Sequence, residues 1–92
     1  MFRITTNHVR GRLELIVDGS LCTECAALIE RYCKQALADG ARVIVSLRDV
    51  QVVDLFGQDL ISRLQHSGIS VRGADLYTSY VVDQCRKRAH NP

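Results

Sequence analysis

Residues 43–57 read VIVSLRDVQVVDLFG. Val43 to Leu47 is apolar at nearly every position, the pattern of a central parallel strand covered on both faces. A short connector follows. Asp54-Leu55-Phe56-Gly57 then opens a helix, with Asp54 placed to accept hydrogen bonds from the free amides of the first turn. That helix is predicted from about Leu55 to Gln65, with Leu60, Ile61 and Leu64 facing inward and Gly68 closing it. Toward the N-terminus, Phe2-Arg3-Ile4-Thr5 alternates as a strand, Asn7 to Gly11 is turn-prone, and Leu13 to Val17 predicts the return strand of a hairpin. Ser20 to Thr23 leads into a helix, with Thr23 as the N-cap candidate and Glu24 a favourable charge in the first turn. Its inward stripe pairs Leu28/Ile29, Tyr32/Cys33 and Ala36/Leu37, and Gly40 stops it. Toward the C-terminus, Ile69-Ser70-Val71 predicts a fourth strand. Asp75 or Thr78 caps a last helix that carries Leu76, Val81, Val82 and Cys85 and ends in Arg86-Lys87-Arg88. The order β-β-α-β-α-β-α demands parallel pairing through right-handed crossovers. The expectation is an α/β fold, a predominantly parallel four-stranded sheet with an N-terminal hairpin and three helices.

Composition narrows the function classes. Ninety-two residues make one small domain, and an apolar fraction of 47% favours a folded core over a disordered segment. Twelve basic and ten acidic side chains leave a net charge of +2, too balanced to imply a nucleic-acid binder. No apolar run approaches the roughly 20 residues that span a bilayer, and MFRITTNHVR lacks the apolar core of a secretory signal. The chain therefore reads as cytoplasmic and without a membrane span. There is no linker, repeat or low-complexity tract, and the single proline is Pro92. Three of the four cysteines fall within twelve residues on one predicted helix and its lead-in, so reduced thiols are expected.

The 43–57 segment resembles the signature of the STAS domain, the sulphate-transporter and anti-sigma-factor-antagonist family. There a hydrophobic strand runs into I/V-D-S-S/T-G at a helix start. The β-β-α-β-α-β-α order is also the one this resemblance implies, over essentially the whole of residues 1–92. Asp18-Gly19-Ser20-Leu21 resembles the family's x-G-x-L-D lead-in, with Cys22 where an acid is common, and Ala26 falls where alanine is frequent. Gln58 departs from a usually apolar position. The larger departure lies at the elbow, where Leu55 and Phe56 occupy the hydroxyl positions.

In the family that hydroxyl is the phosphoacceptor of a partner kinase, which needs a nucleophilic oxygen in line with the ATP γ-phosphate. Neither Leu55 nor Phe56 offers one, and Ser46 and Ser62 lie off the elbow, so phosphate switching at 54–57 is not expected. Two readings of Leu55-Phe56 follow. In the first, favoured because so short a chain has little core, both fold inward. In the second, Phe56 projects from the helix tip as an apolar anchor for a partner.

Cys22-Thr23-Glu24-Cys25 has the C-x-x-C spacing of thioredoxin-type sites, where a helix N-terminus stabilises a thiolate. The cis-proline, tryptophan and flanking proline of such sites are absent. A zinc or iron–sulphur site would have to recruit Cys33, which lies two turns from Cys25, roughly 12 Å away. Cys25, Ile29 and Cys33 share one helix face and read as small buried hydrophobes, with Cys22 the candidate for exposure. His8 in a turn, His66 near a helix end and His90 in a tail lack metal-type spacing. Arg86-Lys87-Arg88 complements the dipole of the last helix.

The resemblance thus implies a non-catalytic module of bacterial transcription regulation, with Asp54, Leu55, Phe56 and Gly57 as its partner-binding elbow and no cofactor or metal. Implied partners are an anti-sigma factor or switch-type kinase, another STAS protein, or the ATPase of a lipid-transport system, with a homodimer as a further possibility. Two other classes stand beside it: a thiol oxidoreductase using Cys22 and Cys25, and a small-molecule or lipid-binding STAS-like module.

Overall fold

A computed structural model describes the backbone of residues 2–90 and the side chains of residues 2–87; the side chains of Arg88 and His90 lie outside the described residues. Seven elements follow the expected order: β1 (Phe2–Val9), β2 (Arg12–Leu21), α1 (Thr23–Ala38), β3 (Arg42–Val53), α2 (Leu55–His66), β4 (Ser70–Gly73) and α3 (Leu76–His90). The sheet runs β1-β2-β3-β4, with β1 antiparallel to β2 and the remaining pairs parallel.

Strand lengths depart from expectation. The turn expected over Asn7 to Gly11 shrinks to Arg10-Gly11, because Asn7, His8 and Val9 pair with Glu14, Leu13 and Arg12. His8 is therefore a strand residue. The connector after Leu47 is not a loop either. Arg48 to Val53 continues β3 beside β2 through two register shifts, which pass over Arg48 and Gln51. Each shift adds one residue to β3, bends the strand, and leaves Val50 and Val53 as the inward residues. The last strand begins at Ser70, with Ile69 buried just before it.

The core lies on one face of the sheet. Leu13, Leu15 and Val17 of β2 register with Val43, Val45 and Leu47 of β3, and Val45 with Val71 of β4. These seven side chains join Cys25, Ile29 and Cys33 of α1, Leu60, Ile61 and Leu64 of α2, and Val81, Val82 and Cys85 of α3 in one apolar cluster. The opposite face holds Thr5, Glu14, Ile16, Ser46, Ser70 and Arg72, none of which is fully buried. Ile44 on that face is itself 93% shielded yet stands outside the core cluster, between Glu14 and Ser70 in register. A strand covered on both faces is thus corrected to one covered by helices on a single face. Hydrogen-bonded pairs tile the open side: Ser46 Oγ donates to Glu14 at 3.0 Å, and Arg48 reaches Asp18 at 2.6 Å.

The helix ends follow local chemistry. Because β2 pairs as far as Leu21, Cys22 takes the N-cap of α1 in place of Thr23, and its side chain makes no capping bond. Ile29, Cys33 and Ala36 face inward as expected, whereas Tyr32 and Leu37 are exposed. Gly40 and Gly68, at φ 80° and 83°, end α1 and α2. Asp75 caps α3: the Thr78 amide donates to its Oδ1 at 2.8 Å, and the Asp75 amide donates to Thr78 Oγ1 at 3.3 Å. Thr78, fully buried, thereby fills the role glutamate has in a capping box.

Candidate functional site

The 54–57 elbow sits where β3 hands the chain to α2. Asp54 is the N-cap, and its Oδ1 accepts from the Gly57 amide at 2.8 Å, as its position in the sequence implied. Gly57 is buried against the end of β2, where a Cβ would lie 2.6 Å from the Leu21 carbonyl oxygen and 3.0 Å from Val53 Cγ1. The helix tip can therefore approach the sheet only because this residue has no side chain. Facing Gly57 inward turns the two residues before it outward. Leu55 is 75% exposed and Phe56 63% exposed, so the reading in which both fold into the core is corrected.

The elbow has a second wall that the sequence reading did not assign. The Val53 amide donates to the hydroxyl of Tyr77 at 3.1 Å, which ties the start of α3 to the end of β3. Leu76, Tyr77 and Tyr80 of α3 are exposed. Leu76, placed by the sequence within the last helix, contributes nothing to the core. On the far side of α2, Cys85 Sγ lies 3.6 Å from the Gln58 carbonyl oxygen and packs α3 along α2.

No oxygen nucleophile stands at positions 55 or 56. Ser46 is on the open sheet face, committed to Glu14, and Ser62 lies along α2 beyond the tip. The four cysteines are free thiols. Cys25 and Cys33 are buried, and burial pushes both up to about 11 from an ordinary 9.0, with the neighbouring Cys22 adding to the rise at Cys25. That direction is opposite to the one a reactive helix-terminal thiolate requires. Cys22 is half-buried at the N-cap. Among the described residues no group of three or more His, Cys, Asp or Glu side chains is gathered to hold a metal ion. A recess of about 210 Å³ lies between the hairpin and α1, lined by His8, Leu13, Tyr32, Gln35, Ala36 and Asp39. Among the described residues no helix is long and apolar enough to cross a membrane.

No family profile matches the chain, and no match is found among the curated proteins. Among solved structures, an uncharacterised protein of the DUF3478 family from Shewanella loihica PV-4, described as having a SpoIIAA-like fold, matches with a TM-score of 0.62 and 12% identity. The match covers 95% of this chain and 78% of that one. At this identity the likeness is one of architecture, and the STAS-like β-β-α-β-α-β-α fold expected from residues 43–57 is the fold of this chain.

Proposed function

We propose that this chain is a non-catalytic protein-interaction module of the anti-sigma-factor-antagonist type, cytoplasmic, meeting its partner through the 54–57 elbow without a phosphate switch there. The observation that carries this reading is the outward pair Leu55 and Phe56 at the tip of α2. Two large apolar side chains left in water beside an ordered cap cost solubility and return nothing to the core, so their position is accounted for by a contact outside the chain. The partners the fold resemblance brings forward are an anti-sigma factor or switch-type kinase, another STAS protein, or a transporter ATPase. With carbon at the acceptor positions, association with any of them is constitutive.

The test uses Phe56→Ala and Leu55→Ala together with a thermal melt, a binding isotherm and a kinase assay. Phe56→Ala should weaken association with the partner by about 2 kcal/mol, the range of an interface anchor, and leave the melting temperature nearly unchanged. Incubation with a switch-type kinase and ATP should place no phosphate on residues 54–57. A loss of folding stability of about 3 kcal/mol in Phe56→Ala, the cost of truncating a core aromatic, with binding intact would remove the elbow as the contact. A phosphate on Ser46 or Ser62 that alters binding would show a relocated switch.

A further inference from the structure

The sheet ends in two unlike edges. β4 closes one with four residues, whereas β1 closes the other with eight, Phe2-Arg3-Ile4-Thr5-Thr6-Asn7-His8-Val9. Every residue of β1 pairs with β2 and no register shift bends it. Among the described residues no strand lies on its outer side. The direction of its main-chain groups follows from the ladder behind it. The Arg42 amide donates to the Gly11 carbonyl at 2.8 Å. In a parallel pair this bond leaves Arg12, and with it Glu14, Ile16 and Asp18, to bond back to β1. Their partners there are Val9, Asn7, Thr5 and Arg3. Phe2, Ile4, Thr6 and His8 therefore turn their amides and carbonyls to the free edge. Such edges are ordinarily blunted by shortness, a proline or a bulge, and β1 has none of these.

The sequence of this edge is complementary to itself. A second copy laid antiparallel about a two-fold axis through Thr5 keeps each side chain on its own face of the sheet. Ile4 then meets Thr6 of the second copy and Phe2 meets His8, and these pairs exchange main-chain bonds. Between them Thr5 meets Thr5, a favourable cross-strand pair, and Arg3 meets Asn7. An axis through Ile4 or Thr6 would leave His8 or Phe2 unpaired. On the open face the row across the junction reads Glu14 and Asn7 of one copy, then Arg3 and Asp18 of the other. No two like charges are neighbours in that row, and each Arg3 faces toward the Glu14 side of the other copy. On the helix face, Phe2 and Ile4 pack against the core cluster, while Thr6 and His8 are exposed. The pairing sets Phe2 and Ile4 of each copy against that exposed half of the other, where His8 lines a recess with Leu13, Tyr32 and Ala36.

We infer that β1 is a self-association edge: two copies join along it in the Thr5-centred register and form one continuous sheet, four strands from each copy. A strand of any sequence could satisfy the free main-chain groups. The matched charges and the threonine pair, by contrast, arise from β1 meeting β1, and they make the occupant a second copy of this chain. The contact uses neither Leu55 nor Phe56 and is independent of the elbow reading.

Sedimentation velocity of the intact chain should show a monomer–dimer equilibrium in the micromolar range. Thr6→Pro removes an amide that points to the free edge and none that β2 uses, a position where an edge strand tolerates proline. Two interchain bonds vanish per dimer, so association should weaken by about 30-fold while circular dichroism is retained. Thr5→Cys gives a second reading whatever the proline does to folding. Residues opposed at a non-hydrogen-bonded site stand about 4.5 Å apart at Cα, within the span of a disulfide. Mild oxidation should therefore convert this variant to a covalent dimer, and should not do so for the parent chain or for Thr6→Cys. A chain that stays monomeric into the millimolar range overturns the inference, as does a dimer indifferent to Thr6→Pro. Failure of Thr5→Cys to cross-link, or cross-linking through Thr6→Cys in its place, overturns it too. A dimer that dissolves in Phe56→Ala but persists in Thr6→Pro would overturn it and assign self-association to the elbow.

Discussion

Gly57 decides whether the elbow can close. Its buried Cα stands so near the end of β2 that an added methyl would meet the Leu21 carbonyl oxygen at 2.6 Å, and a backbone atom has less room to yield than a side-chain tip. Gly57→Ala should therefore destabilise the fold by about 1–3 kcal/mol, the usual cost of forcing an extra group into a packed site, although alanine favours a helix elsewhere. Urea unfolding measures this; a neutral outcome would mean that α2 does not seat on β2 as described. The thiols offer a second check. Cys25 and Cys33, pushed up to about 11 by burial, stay neutral in the folded chain, whereas an unfolded chain ionises them near 9.0. The stability linked to these protons is complete below pH 9.0 and is lost as pH rises through about 11. The melting temperature should fall across that window. In native protein at neutral pH, a thiol reagent should modify Cys22 well ahead of Cys25 and Cys33, and rapid labelling of Cys25 would reopen the oxidoreductase reading.

The two aspartate caps show how a helix start can be read, and where reading fails. Bonds from the Thr78 amide and hydroxyl hold the Asp75 carboxyl below its ordinary 3.8. A depressed carboxylate contributes stability above the unfolded value, and that contribution is lost as pH falls through the folded one. Asp75→Asn, which keeps a capping oxygen, should melt with a shallower dependence on acid below pH 3.8 than the parent; matching profiles would mean that the cap does not bind the proton differentially. Asp54 and Asp75 were legible because a cap is local chemistry, and so were Gly40, Gly68 and the stripe Leu60, Ile61 and Leu64. The end of β3 was not. Strand recognition expects inward residues two apart, whereas the bulges space Leu47, Val50 and Val53 three apart. The outward Leu76 was missed for a related reason, being grouped with Val81, Val82 and Cys85 of the last helix, and Tyr77 was given no role. The signal that could have found them is the matching Asp-Leu-aromatic start of α2 and α3, three letters long and too short to register as a repeat. Leu55 and Phe56 illustrate the limit of composition, since a small core argued for their burial and the glycine behind them forbade it.

Helices on a single face of the sheet give neighbouring residues of β3 unequal weight. Val45 registers with Leu15 on one side and Val71 on the other, inside the core cluster and 1% exposed. Ile44, one residue earlier, points to the open side between Glu14 and Ser70 and belongs to no apolar cluster. From the sequence alone the two are equivalent letters in a run read as covered on both faces. Substituting threonine at each separates the two arrangements. In Val45→Thr the hydroxyl enters an apolar layer and leaves an unpaired polar group, a cost of about 1–3 kcal/mol. In Ile44→Thr the side chain is also shielded, but the hydroxyl stands between Glu14 and Ser70 in register and can pair there, so the cost should fall below that of Val45→Thr. Paired urea titrations with an unchanged slope give both numbers directly. Equal penalties at 44 and 45 would mean that something covers the second face, and the open side with its Ser46–Glu14 and Arg48–Asp18 pairs would then be an internal surface of a larger assembly.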